Sequence, residues 1–331
     1  MNAPLKSAAR RRLMAAVGLT AAALPLRSAW AQSYPNRPIK MIAGFAPGSA
    51  PDAAARFIGQ KLSESLRQPV VVDNRVGAGG QIAVQVVAKA PPDGYSVVLA
   101  DVGAISIAPA AFSKLPYDPI KDLVPVSEVV RTEFILVVPN KSPARTVEEF
   151  ARTARSNARK VDFGTSGAGS PSHFGAEVLA TQGNFSIEPI HFRNGGDIVS
   201  AVVAGDIHAA FLSTALAAPH IKAEKLRALA ITGPKRYPQL PQIPTFPEAG
   251  FPKLNISAWL TLFVPAGTSG DVIATLSRSV TEVLQLADLR QQLETAGFGI
   301  VGSTQAEAQQ MVAAEATRWR QIVASTGFKG D

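Results

Sequence analysis

Four times along this chain a short apolar run gives way to a glycine turn and then to a helical pattern. Ile39-Lys40-Met41-Ile42-Ala43-Gly44-Phe45 has strand character and continues through Ala46-Pro47-Gly48-Ser49-Ala50. Beyond it, apolar residues at 54, 57, 58, 62 and 66 fall on one helical face, with Pro51 near the first helical position. Val70-Val71-Val72-Asp73 leads through Gly77-Ala78-Gly79-Gly80 to a predicted helix at about 81–89. Val161-Asp162-Phe163 leads through residues 164–169 to a helix over about 171–181. Pro189-Ile190-His191-Phe192 leads through Asn194-Gly195-Gly196 to a helix at 197–204. Alternating strands and helices predict mostly parallel sheets in an α/β fold.

Two further segments, Phe134-Ile135-Leu136-Val137-Val138-Pro139 and Leu260-Thr261-Leu262-Phe263-Val264-Pro265, are continuous apolar strands ended by proline. This is the character of strands crossing between two domains. The expected division is residues 32–138 with 259–331 in lobe 1, and 139–258 in lobe 2. Thr146 to Glu149 and Thr304 to Glu307 have capping-box spacing and predict helix starts. The last helix, about 305–324, is expected to turn Ala308, Met311, Ala314, Trp319 and Ile322 toward the first domain.

The N-terminus changes how composition is read. Arg10-Arg11-Arg12, an apolar run from Leu13 to Leu26 and Ala29-Trp30-Ala31 have the layout of a secretory signal peptide, residues 1–31. Its apolar part is shorter than the ~20 residues of a membrane span. The arginine run fits both general and twin-arginine export. Removing residues 1–31, which hold Lys6, Arg10, Arg11, Arg12, Arg27 and no acid, lowers the formal net charge from +8 to +3. That is too little, and too scattered, for nucleic acid as a partner. The absence of cysteine excludes disulfides, thiol nucleophiles and thiolate metal sites. An exported, periplasmic protein held by packing alone is the expectation.

The first turn of a helix offers unpaired backbone N–H groups and a partial positive charge. Helix starts facing one another across a cleft therefore make a site for an anion, with carboxylate as the natural guest. Catalytic templates fit poorly. Gly77-Ala78-Gly79-Gly80-Gln81-Ile82 lacks the third glycine of a dinucleotide fingerprint, and no phosphate-binding glycine-lysine-serine/threonine loop is present. Gly164-Thr165-Ser166-Gly167-Ala168 departs from the nucleophile elbow at its last position. Ser170 and His173 have the spacing of a nucleophile and base, but Ser170 before Pro171 is better read as a helix cap. The histidines show no metal-motif spacing, so neither metal nor cofactor is expected. Arg193 suits forked pairing with a carboxylate, and Asp52 suits either a helix cap or a polar ligand group.

Several ordered motifs resemble one family. They are Tyr34-Pro35-Asn36-Arg37-Pro38-Ile39, Val72-Asp73-Asn74-Arg75-Val76-Gly77-Ala78-Gly79-Gly80, Pro92-Asp93-Gly94-Tyr95, Leu115-Pro116-Tyr117-Asp118-Pro119 and the run Phe163 to Ser170. Pro219-His220-Ile221-Lys222-Ala223, Leu226-Arg227-Ala228-Leu229-Ala230 and Ile243-Pro244-Thr245 with Glu248-Ala249-Gly250 continue the series. Together they resemble the Bug receptors, periplasmic solute-binding proteins of tripartite tricarboxylate transporters, over essentially the whole mature chain. The resemblance implies a type II periplasmic-binding-protein fold, two α/β lobes around a ligand cleft joined by two crossing strands. It also implies a small organic acid as ligand, or a related amide, and no catalysis. Carried onto this sequence, the ligand contacts are Gly48, Ser49, Ala50 and Asp52 in the first lobe and Thr165, Ser166, Ala168 and Ser170 in the second, with Phe192, Arg193, Asn194 and Gly195 lining the rest. The expected partner is a membrane permease. A signalling partner, or an enzyme on the same scaffold, is the alternative.

Overall fold

The computed structural model describes residues 34–192 and 194–330. The expected signal peptide and Arg193 lie outside the described residues. Residues from Arg37 onward form one unit.

Each predicted strand-turn-helix unit is present. β1 (Ile39–Ala43) is followed by α1 (Ala50–Leu66), then β2 (Val70–Asn74), α2 (Gln81–Ala88) and β3 (Ser96–Asp101). The strands pair in parallel in the order β2-β1-β3, with Ile39 opposite Val70 and Ala43 opposite both Asn74 and Leu99. A π-helical turn at 103–107 and the short α3 (Ala108–Ala111) follow β3.

The chain then enters β4 (Leu123–Pro139), a single strand of 17 residues. Its first part, to Glu133, pairs antiparallel with β9 (Ser257–Pro265), and from Phe134 it pairs with β7 (Ala209–Ser213) and β8 (Leu226–Ile231) of a second sheet. The sequence pattern pointed only to residues 134–139. Pro125, Ser127, Glu128, Arg131 and Thr132 interrupt the apolar run, and the register shifts at Pro125/Ser127 and Glu128/Val130.

The second sheet repeats the plan of the first. α4 (Val147–Ser156), β5 (Val161–Thr165), α5 (Pro171–Gly183), β6 (Ile187–His191), α6 (Gly195–Ala204), β7 (Ala209–Ser213), α7 (Thr214–Lys222) and β8 (Leu226–Ile231) follow in turn. β5 lies between β6 and β7, parallel to both, and β8 is antiparallel to β4. β9 (Ser257–Pro265) then returns between β3 and β4, antiparallel to both. α8 (Gly270–Val283), α9 (Ala287–Thr295), β10 (Gly299–Ile300) and α10 (Gln305–Thr326) complete the chain.

One buried cluster is continuous from Val98 and Ile105 through Trp259 and Trp319 to Phe174 and Phe211, so both sheets share it. A second cluster, with Ile135, Val137, Ile198 and Leu212, packs α6 and α7 onto the second sheet.

α10 corrects one expectation. Its buried stripe is Ala308, Val312, Glu315, Trp319 and Val323, whereas Ala314 is exposed. Glu315 belongs to the stripe because its carboxylate accepts the indole N–H groups of Trp259, at 3.2 Å, and Trp319, at 3.0 Å, and also pairs with Arg318. Nor does this end of the chain serve the first sheet alone. Trp319 packs on Phe174, and Phe328 packs on both His173 and Phe174 of α5. The predicted capping box at Thr304 and Glu307 is present.

Candidate functional site

The pairing of β4 decides where the strand ends point. Leu260 lies opposite both Asp101, the last residue of β3, and Val130 of β4, so β3 ends level with Val130. From the other direction Ser213, the last residue of β7, lies opposite Phe134. The parallel strands of the two sheets thus run toward each other and stop at opposite ends of Val130–Phe134. At a rise of about 3.3 Å per residue the interval is roughly 13 Å, the size of a small molecule. In each sheet the first of the three strands lies in the middle, and the crevice outside the carboxyl ends at such a switch point is where open α/β sheets bind ligands.

On the first sheet, Ser49 caps α1, its hydroxyl accepting from Asp52 N at 3.4 Å, and Gly48 turns the chain at φ +80°. Asp52 is buried and holds the turn from within. Its carboxylate accepts from Gly48 N at 2.9 Å, Arg56 Nε at 3.0 Å and Asn74 Nδ2 at 2.7 Å. Burial works against the charge of Asp52, but these bonds and the nearby Arg56 outweigh it and hold the carboxyl below its ordinary range. Gly48 and Ala50 are exposed beside it. Behind them Gly44 lies so near Gly80 that a β-carbon at 44 would stand 2.7 Å from the Gly80 Cα. This contact closes the ends of β1 and α2 together.

On the second sheet, Ser170 caps α5 as its sequence position predicted, accepting from His173 N at 3.2 Å. The buried Ser172 hydroxyl gathers the turn, accepting from Ser166 N at 3.0 Å and meeting the hydroxyls of Ser166, at 2.9 Å, and Ser170, at 3.0 Å. His173 Nδ1 accepts from Gly169 N at 3.1 Å, so the ring proton sits on Nε2, facing Glu177 at 3.7 Å. Burial, reinforced by His191, pushes the imidazole down to about 4 and keeps it neutral. Ser170 and His173 therefore serve the turn separately and do not form a nucleophile-base pair.

Thr165 is buried at the end of β5, and its hydroxyl meets His191 Nδ1 of the adjacent strand at 2.5 Å. Asn194 caps α6, accepting from Asp197 N at 3.0 Å, which starts that helix at Gly195, two residues earlier than predicted. Phe192 is half-buried against the second core cluster, while Ser166, Ala168 and Asn194 are exposed. The structure thus gathers Gly48, Ser49 and Ala50 at one edge and Ser166, Ala168, Ser170, Asn194 and Gly195 at the other, with Asp52 and Thr165 behind them.

Some residues of this region escaped the sequence pattern. Thr132 of β4 shares its hydroxyl with Thr214 Oγ1 at 3.4 Å and donates to Gly297 O at 3.1 Å, joining the start of α7 to the turn before β10. Glu133, at the passage from one sheet to the other, is pushed up to about 7 by burial, against the pull of Arg131, a hydrogen bond from Thr232 and Arg318. Asp101, raised by burial, closes the first sheet's edge. The Ser213-Thr214 step from strand to helix was the available signal for α7.

Cavities also lie elsewhere, one of about 650 Å³ beside Asn140, Arg145 and Arg227 and one of about 440 Å³ beside Ser106, Tyr117 and Arg320. Among the described residues no three His, Asp or Glu side chains are grouped to hold a metal ion. What the capped turns offer is backbone N–H groups and hydroxyls, the chemistry of anion recognition.

The profile of the family described as tripartite tricarboxylate transporter family receptor matches residues 54–328. Protein BugT of Bordetella pertussis is 32% identical over 96% of this chain and 98% of its own. MatC of Rhodopseudomonas palustris, solved with bound malate, has a TM-score of 0.75 at 30% identity, covering 88% of this chain and 100% of that one. A second R. palustris protein, solved with adipate, has a TM-score of 0.78 at 29% identity, covering 89% and 99%. The two-lobed α/β fold expected of such receptors is the fold observed. This chain belongs to the periplasmic solute-binding receptors of the tripartite tricarboxylate transporter family.

Proposed function

We propose that the chain is exported, loses residues 1–31 near Ala31, and captures a small carboxylate between its two sheets for delivery to a membrane permease, without chemical change. The observation that carries this is the convergence of both sets of parallel strands on Val130–Phe134, with capped helix starts at Ser49, Ser170 and Asn194 on opposite sides. The malate and adipate bound by the two R. palustris proteins support an acid as ligand.

In this reading the carboxylate lies against Gly48, Ser49 and Ala50 on one side and Ser166, Ala168 and Ser170 on the other, with Phe192, Asn194 and Gly195 beside it. It takes the N–H groups of Ala50 and Ala168 and the three serine hydroxyls, because the N–H groups of Gly48, Ser49, Ser166 and Ser170 are already used within their turns. Each hydrogen bond to a charged group contributes about 1.5–3 kcal/mol, so a few reach the ~8 kcal/mol of micromolar binding. Lobe 1 (32–138 and 259–331) and lobe 2 (139–258) close because the ligand touches both only when they are together. Its differential affinity for the closed state shifts the population.

A thermal-shift screen of protein refolded free of carried-over ligand tests this against mono-, di- and tricarboxylates, amides and uncharged sugars. A ligand at 100 times its Kd adds about 2.7 kcal/mol of apparent stability. Stabilisation by one class of acid is expected; stabilisation by sugars alone would refute the proposal.

A further inference from the structure

We infer that Asp101 selects, among carboxylates, those that also carry a cationic nitrogen. The inference rests on the receptor reading above and concerns the same site.

Asp101 ends β3, the strand beside the switch point, and faces the turn that closes β2. A β-carbon at residue 80 would lie 3.8 Å from Asp101 Oδ1, and Gly80 is itself packed against Gly44 at the end of β1. The carboxylate thus sits where all three parallel strands of the first sheet end. Its hydrogen bonds come from the backbone, Ala104 N at 3.1 Å among them, and no Lys, Arg or His of the described residues forms an ion pair with it.

Capping the turn does not require this charge. At the neighbouring helix starts Ser49, Ser170 and Asn194 do the same work with neutral groups. A half-buried carboxylate without a counter-cation is costly to ionise, and its burial pushes it up from the ordinary range. It would also repel a second anionic group. A ligand that presents its carboxylate to the helix starts and an ammonium to Asp101 supplies the missing cation and relieves both penalties. A ligand with a plain methylene at that position does neither.

The test is calorimetric titration of matched probes, glutarate against L-glutamate and pentanoate against 5-aminopentanoate, into wild type, Asp101→Asn and Asp101→Ser. Both replacements keep an acceptor for Ala104 N, and thermal melts of each report folding. Wild type is expected to bind the aminated member of at least one pair about tenfold or more tighter, and both variants to lose that preference. Equal binding within the pairs by wild type, or a preference that survives in both variants, would overturn the role of Asp101. Failure of wild type to bind any carboxylate would overturn the receptor reading beneath it.

Discussion

Asn74, the last residue of β2, donates from Nδ2 to Asp52 Oδ1 at 2.7 Å and to the Phe45 carbonyl at 3.1 Å. One amide therefore locks the turn after β1 to the end of the neighbouring strand. Asn74→Ala leaves an acceptor of Asp52 unpaired and is expected to cost about 1–3 kcal/mol. Denaturant melts give the stability and titration gives the carboxylate affinity, which should fall because the Gly48–Ala50 turn is no longer held.

Asp52 gives the same turn an acid dependence. Its carboxyl is held below the ordinary 3.8 in the folded chain, so its contribution is full above about pH 4 and is lost as pH falls through the lower native value. Asp52→Asn should be less stable than wild type at pH 7 by about 2 kcal/mol or more, because an amide cannot accept all three bonds. Urea melts at pH 7 and pH 3 should show that difference narrowing in acid.

Glu133 acts in the opposite direction. Its carboxyl is raised from 4.5 to about 7, so the folded chain holds a proton that the unfolded chain releases. The stability this contributes is present below about pH 4.5 and is lost as pH rises toward 7. Between pH 5 and pH 8 wild type is expected to lose stability relative to Glu133→Gln by about 1–3 kcal/mol. Paired melts of the two proteins across that interval isolate the contribution.

Gly297 is where the turn before β10 meets the start of α7. A β-carbon there would stand 1.9 Å from Ala215 Cβ, at φ +89°. Gly297→Ala must push Ala215 away, beside Thr214, whose hydroxyl and that of Thr132 meet at the Gly297 carbonyl. A loss of about 3 kcal/mol or more is expected. Small-angle scattering should show a wider separation of the sheets, and titration a weaker affinity.

How much of this was legible in the sequence depended on what each residue contacts. Ser170 was readable because a cap works within its own turn, and the strand-turn-helix order follows from local periodicity and glycine, whereas the cap of α1 is Ser49 and not Asp52. Asp52 stayed ambiguous because Asn74, which consumes one of its oxygens, lies 22 residues away. Asp101 was invisible, since Val102 to Ile107 continues the apolar run of β3 and hides the π-helical turn it caps. Glu315 was missed on the buried face of α10 because only the fold brings Trp259 to it. The first part of β4 was hidden by its bulges, and with it the interval that sets the two edges face to face.

That interval can be tested with charge placed on either side of it. Aspartate caps helices as well as serine does, so Ser49→Asp and Ser170→Asp preserve folding while adding a negative charge at each proposed carboxylate contact. The measurement is calorimetric titration of the acid that stabilises wild type most into both single variants. The account predicts that each variant loses affinity at least tenfold while its melting temperature is unchanged. Wild-type affinity in either variant would contradict a carboxylate held between the two sheets.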